Sequence, residues 1–141
     1  MNYRNPGFLA DAKLLGWGTY WLARYAWELR CTSPSTILAD IRALPPTGRG
    51  QAKREDLDKL WRWLRFIQTR IWRDHKPCLR RSLVLYRWCV LHGITAEVII
   101  GVRRTPDGIT GHAWLLLDGV PYQENENNLE QFTCLIQGQD P

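Results

Sequence analysis

The chain has 141 residues, 45% of them hydrophobic and 23% charged, with a formal net charge of +5. This suits one globular domain with a real core and leaves too little chain for two. The longest early uncharged stretch, residues 14–23, contains Gly16 and Gly18 and is about half of the ~20 residues a membrane span needs. Asp11 and Lys13 precede it and no small-residue cleavage site follows, so neither a membrane anchor nor a signal peptide is expected. Cys31, Cys78, Cys89 and Cys134 form no C-x-x-C pair, which predicts free thiols in a reducing cytoplasm.

Along the chain, Leu14, Leu15, Trp17, Trp21, Leu22, Tyr25 and Leu29 give residues 8–30 a helical stripe, weakened by the two glycines. Thr32-Ser33-Pro34-Ser35 breaks it, and Ser35 can cap a short helix over residues 36–43. Residues 44–50, LPPTGRG, read as a linker. They divide an N-terminal helical arm (1–50) from a main domain (51–141). Leu57, Leu60, Trp61, Leu64, Ile67 and Ile71 then recur at helical period over 55–72. Pro77 suits the first turn of a further helix over 78–91, and Gly93 supplies its stop.

The period then changes. Residues 96–104 are rich in β-branched side chains, Thr105-Pro106-Asp107-Gly108 is a turn, and residues 112–117 form a second strand. Asp118-Gly119 turns the chain into residues 120–124, and residues 132–137 add a short strand. Helices first and an antiparallel meander after them define an α+β class. No internal repeat or low-complexity tract is present.

The 15 arginines are spread along the helical faces with no dense run, a pattern typical of solvated faces whose stems lie on apolar surface. The net charge still favours an acidic peptide or a nucleic-acid backbone as partner.

Chemistry concentrates in the second half. Cys78 opens a helix, where unpaired N–H groups and the dipole favour a thiolate. His112 starts a strand in GHAW, 34 residues later, and an acid follows in the next strand. A thiolate, an imidazole to share its proton and an acceptor to orient the ring are what cysteine acyl transfer requires. Asp118 lies six residues along the strand from His112, roughly 20 Å, and reads as the first residue of an Asp-Gly turn. Register leaves two candidates beyond that turn. A plain two-residue loop pairs His112 with Asn125, whereas a bulged or three-residue loop sets Glu124 opposite His112.

The run PCLRRSLVLYRW (77–88), followed by HGITAEVIIGVRR (92–104), GHAWLLLDGVPYQE (111–124) and an Asn/Glu-rich stretch, resembles the lasso-peptide leader peptidases. These are transglutaminase-like cysteine proteases of bacterial peptide biosynthesis. The resemblance covers about residues 55–135 and implies a transglutaminase/papain-like core with Cys78 as nucleophile, His112 as base and Glu124 as third member. The third position is often Asp in that family. It further implies removal of the leader from a ribosomally made precursor peptide, for ring closure by a macrolactam synthetase. Larger relatives carry a fused leader-recognition domain, so a separate recognition protein is expected as partner here.

Other residues have plainer readings. Cys89, about 16 Å along the helix from Cys78, is expected in the core. His75 and His92 read as surface or capping residues, and no metal or cofactor is expected, since no second ligand pair accompanies His75-x-x-Cys78 and no Gly-rich phosphate loop occurs. Arg80 and Arg81 are either a solvated pair or a hold on acidic leader residues and the thiolate. Trp61, Trp63, Trp72 and Trp88 are expected in the core or an interface, while Trp17 and Trp21, with Tyr25 and Trp27, mark the arm as a protein-binding surface. The rival functions are another transglutaminase-like acyl transfer, and a basic, Trp- and Arg-rich module binding peptide or nucleic acid. Against the last, no nucleic-acid motif is present, and neither nucleic acid nor membrane is expected as a partner.

Overall fold

In the computed structural model, which describes residues 6–47, 53–74 and 77–137, four helices come first and an antiparallel sheet follows. The helices are α1 (Pro6–Glu28), α2 (Pro34–Arg42), α3 (Arg54–Phe66) and α4 (Pro77–Leu91). The strands are β1 (Ala96–Thr105), β2 (Gly108–Leu117), β3 (Val120–Pro121) and β4 (Thr133–Gln137), with a one-turn helix α5 (Glu126–Leu129) between the last two. They form one antiparallel sheet in the order β3-β2-β1-β4. The α+β class expected from the sequence is the class observed. Residues 48–50 of the expected linker, and His75, lie outside the described residues.

α4 is the centre. Leu83, Val84, Leu85, Tyr86, Trp88 and Cys89 are all buried, so it is apolar on nearly every side, as a helix enclosed between layers must be. Leu22 and Tyr25 of α1, Ile37, Leu38 and Ile41 of α2, and Leu57, Leu60 and Leu64 of α3 share its cluster with Val98, Leu115 and Leu117 of the sheet. Each such side chain contributes about 1.5–3 kcal/mol on burial.

Gly18 has a packing reason that its low helix propensity conceals. A Cβ there would run into Leu60 Cδ1, so its absence lets α1 and α3 approach closely. Trp63 Nε1 donates to Thr19 Oγ1 across the same seam at 2.9 Å. The Arg87 guanidinium lies 3.4 Å from the Trp21 ring centroid, and Arg87 also donates to the Tyr25 hydroxyl.

Three local expectations are corrected. The cap of α2 is Ser33 rather than Ser35: Pro34 takes the first helical position, where its missing N–H is harmless, and Ser33 Oγ accepts from the Thr36 N–H. The helix expected to run to residue 72 leaves α geometry at Ile67, and Ile67–Ile71 form a π turn closed by Trp72 N–H donating to Ile67 O at 2.9 Å. β2 begins at Gly108 rather than His112, because pairing with β1 overrides the weak strand propensity of Gly108-Ile109-Thr110-Gly111.

Leu60 fills the α1–α3 seam with no exposed surface. Leu60→Ala is expected to cost about 2–5 kcal/mol, lowering the urea midpoint with an unchanged slope; a loss under about 1 kcal/mol would contradict the close seam.

Candidate active site

Pro77 begins α4 and Cys78 follows in the first turn, where backbone N–H groups have no intrahelical acceptor. Cys78 is partly buried, neither sealed nor fully open. Its sulfur is approached by the N–H of Leu79 from its own helix, by the N–H of Ala113 from β2 and by the His112 side chain.

The register explains why Ala113 can do this. Asp118 N–H donates to Thr95 O, and Tyr122 N–H donates to Leu115 O. Even-numbered residues of β2 therefore point their backbone groups at β1, and odd-numbered ones point outward. The Ala113 N–H faces the outer edge, where the start of α4 lies.

His112 sits opposite Gly101 on the sheet face away from the main core. That face carries Trp114 and Phe132, whose ring centroids lie 5.7 and 5.5 Å from the imidazole. A Cβ at Gly101 would meet Phe132 Cβ at 3.0 Å and the Trp114 ring at 3.2 Å, so the bare Cα gives both rings their place beside His112.

His112 Nε2 and Glu124 Oε1 are 3.0 Å apart. The route by which Glu124 arrives differs from the expected one. The Asp118-Gly119 turn is the plain two-residue kind, with Leu117 paired to Val120, positive φ at both turn residues, and no bulge. Continued pairing would bring Asn125 opposite His112. The ladder ends instead with the bond from Tyr122 N–H to Leu115 O, and Gln123 at φ +57 swings the chain so that Glu124 reaches the ring. Asn125 turns away and caps α5, its Oδ1 accepting from the Asn127 N–H at 3.0 Å.

Burial is the largest influence on the Cys78 thiol and pushes it up, but the His112 hydrogen bond, the Ala113 N–H, the His112 charge and the Leu79 N–H together bring it below its ordinary value. The hydrogen bond to Cys78, followed by that to Glu124, raises His112 to about 9 against the opposing effect of burial. Opposite shifts on two bonded partners favour the thiolate–imidazolium form. With Glu124 on Nε2, Nδ1 is the nitrogen left for the sulfur. The arrangement is equipped for nucleophilic attack followed by proton delivery from the ring. Cys89, enclosed in the core, is pushed the other way, up to about 12, by burial.

Arg81 stacks over Trp61 and lies within electrostatic reach of Cys78 and Glu124. Arg80 binds the nearly buried carboxylate of Asp74 at 2.7 Å. Trp17 and Trp21 are half-buried against the core, while Tyr20 and Trp27 of α1 are exposed. His92 bonds to Trp88 O at the end of α4 and stacks on the Trp88 ring. Among the described residues no three His, Cys, Asp or Glu side chains gather as metal ligands would, and no helix is long and apolar enough to cross a membrane. Residue-type patterns did not single out Ala113, Phe132 or Gln68. The first acts through its backbone, the second is an unremarked aromatic, and the third sits on an apparently ordinary helical turn.

Glu124→Gln is expected to lower the His112 ring from about 9 toward its ordinary range, read by NMR titration of the ring protons, because the anionic acceptor is lost. Asn125→Ala should leave that titration unchanged; the opposite pattern would restore Asn125 as the orienting side chain.

A family model for the transglutaminase-like superfamily matches residues 19–137, from within α1 to the end of β4. No curated protein and no solved structure matches. That span takes in both sequence layers of the core together with Cys78, His112 and Glu124, and the chain belongs to the transglutaminase-like superfamily.

Proposed function

We propose that this protein is a cysteine peptidase that removes the leader from a ribosomally synthesised lasso-peptide precursor. The observation that carries the chemical part is the His112 ring, held by Glu124 at 3.0 Å and acting on the Cys78 thiol at the start of a buried helix. Membership of a superfamily that includes cysteine peptidases and acyltransferases supports it. The substrate part rests on the resemblance of the stretches around Cys78 and His112 to leader peptidases.

In this reading the Cys78 thiolate attacks the carbonyl carbon at the leader–core junction. The tetrahedral adduct collapses as the His112 imidazolium gives its proton to the departing amine nitrogen, and the C–N bond breaks. The core leaves with a free amino group, and the leader remains as a thioester on Sγ. Neutral His112 then takes a proton from water, the oxygen attacks the thioester, and the leader leaves as a carboxylate while the thiolate is restored. Glu124 holds Nε2 and so keeps Nδ1 toward the sulfur. The Cys78 N–H, in the unpaired first turn, is the natural donor to the oxyanion. Arg80, Arg81, Trp17 and Trp21 remain candidates for contacts with the precursor or a separate leader-recognition protein. A macrolactam synthetase would take the freed core, in the cytoplasm.

The test is incubation with a lasso-precursor peptide in ¹⁸O-labelled water, followed by mass measurement. We expect a labelled leader carboxylate and a core with a free amine, and a loss of about 10³-fold or more in Cys78→Ala. Transfer of the leader acyl group to an added amine in place of water would make the protein an acyltransferase, and cleavage by Cys78→Ala would end the proposal. The pH dependence has a definite sign. kcat/KM should rise as the Cys78 thiol ionises, below its ordinary range, and fall as His112 loses its proton through about 9.

A further inference from the structure

Gln68 is a buried polar side chain, 1% exposed, outside the Cys78–His112–Glu124 series. It lies in the π turn that ends α3, where such turns often mark functional departures from α geometry. Every polar group of this residue beyond its own N–H is engaged near the start of α4. Its backbone carbonyl accepts from the Asp74 N–H at 2.9 Å. Its Nε2 donates to Pro77 O at 2.9 Å and to Asp74 Oδ2 at 3.3 Å, and its Oε1 accepts from Arg81 at 3.4 Å. Arg80 secures the other Asp74 oxygen at 2.7 Å.

The contact with Pro77 O bears on the chemistry. The Pro77 carbonyl and the Cys78 N–H belong to one planar peptide unit, with the two groups pointing in opposite directions. A donor that grips the carbonyl fixes the plane and therefore the aim of the N–H. It also polarises the unit, which strengthens the N–H as a donor. An enclosed amide with all its partners supplied is costly to misplace, so the grip is firm.

We propose that Gln68 is a positioning residue: by holding Pro77 O it aims the Cys78 N–H at the oxyanion that forms when Cys78 attacks a carbonyl. This rests on Cys78 being the acyl-transfer nucleophile and not on which peptide is cut.

The test compares two reactions at Cys78, each read by mass spectrometry of the Cys78 peptide: acylation by 4-nitrophenyl acetate, which passes through an oxyanion, and alkylation by iodoacetamide, which does not. Gln68→Met keeps the length and removes the donor. It should slow acylation about tenfold or more relative to alkylation. Asp74→Asn, which leaves the Pro77 contact in place, should keep the wild-type ratio. Acylation and alkylation that fall together, or an unchanged ratio, would make Gln68 a merely structural residue. Should Gln68→Met fail to fold, the wild-type protein decides. The Gln68 side-chain amide resonances should show coupling to the Pro77 carbonyl and shift in an acetaldehyde adduct of Cys78 but not in its carbamidomethyl form. Absent coupling, or equal shifts in both, would overturn the proposal. A wild-type Cys78 that is acylated no faster than a model thiol would remove the nucleophile assignment and this proposal with it, whereas failure to cut a lasso precursor would leave the Gln68 result standing.

Discussion

The sulfur of Cys78 lies at a seam between layers, and the rest of the site depends on how that seam is closed. One N–H reaches it from α4 and another from β2, and the imidazole comes from the residue next to the β2 donor. Helix and strand are thus joined by the same atom that the proposed chemistry uses. The seam holds because α4 is enclosed by α1, α2 and α3 on one side and by Val98, Leu115 and Leu117 on the other. A helix buried all round has little freedom to slide, and interiors at this density transmit small shifts rather than absorb them.

Electrostatics at the seam follow from competition. Partial enclosure disfavours a charged sulfur, and the hydrogen bonds and ring charge outweigh it. The imidazole gains from both neighbours, so its proton is held well above the range of a free histidine. Trp114 and Phe132 flank the ring on the far face of the sheet, and Gly101 leaves them the room. The one-turn helix α5 covers part of that face, with Leu129 buried against Ile99 and Trp114. Two separate apolar clusters, one on each face, therefore fix the strand that bears His112.

Much of this was readable from residue order. The stripe Leu57, Leu60, Leu64, Ile67 placed α3, and Pro77 and Gly93 bounded α4, because helix ends carry local chemistry. Residue type, spacing and family likeness single out Cys78, His112 and Glu124, and the fold sets these three side chains beside one another. The failures share a cause. A π turn has the same apolar pattern as an α turn over five residues, so Ile67–Ile71 could not be told apart, and Gln68 went unnoticed. Register alone offers Asn125 after a plain turn or Glu124 after a bulged one, and the actual route, a left-handed Gln123 after a plain turn, has no sequence mark because Gln is not a residue that seeks that conformation. β2 runs four residues further toward its start than propensity predicts, since a partner strand supplies what Gly108–Gly111 lack. Gly18 weakens α1 by propensity alone, and tertiary packing gives it a purpose.

The left-handed Gln123 has an evolutionary corollary. Because the ladder ends at Tyr122, the segment that delivers the carboxylate owes nothing to the sheet's alternation, and its length and path are free to drift without scrambling the inward-facing side chains of β2. An acid of a different reach, carried on a segment one residue longer or shorter, could occupy the same spot beside the ring.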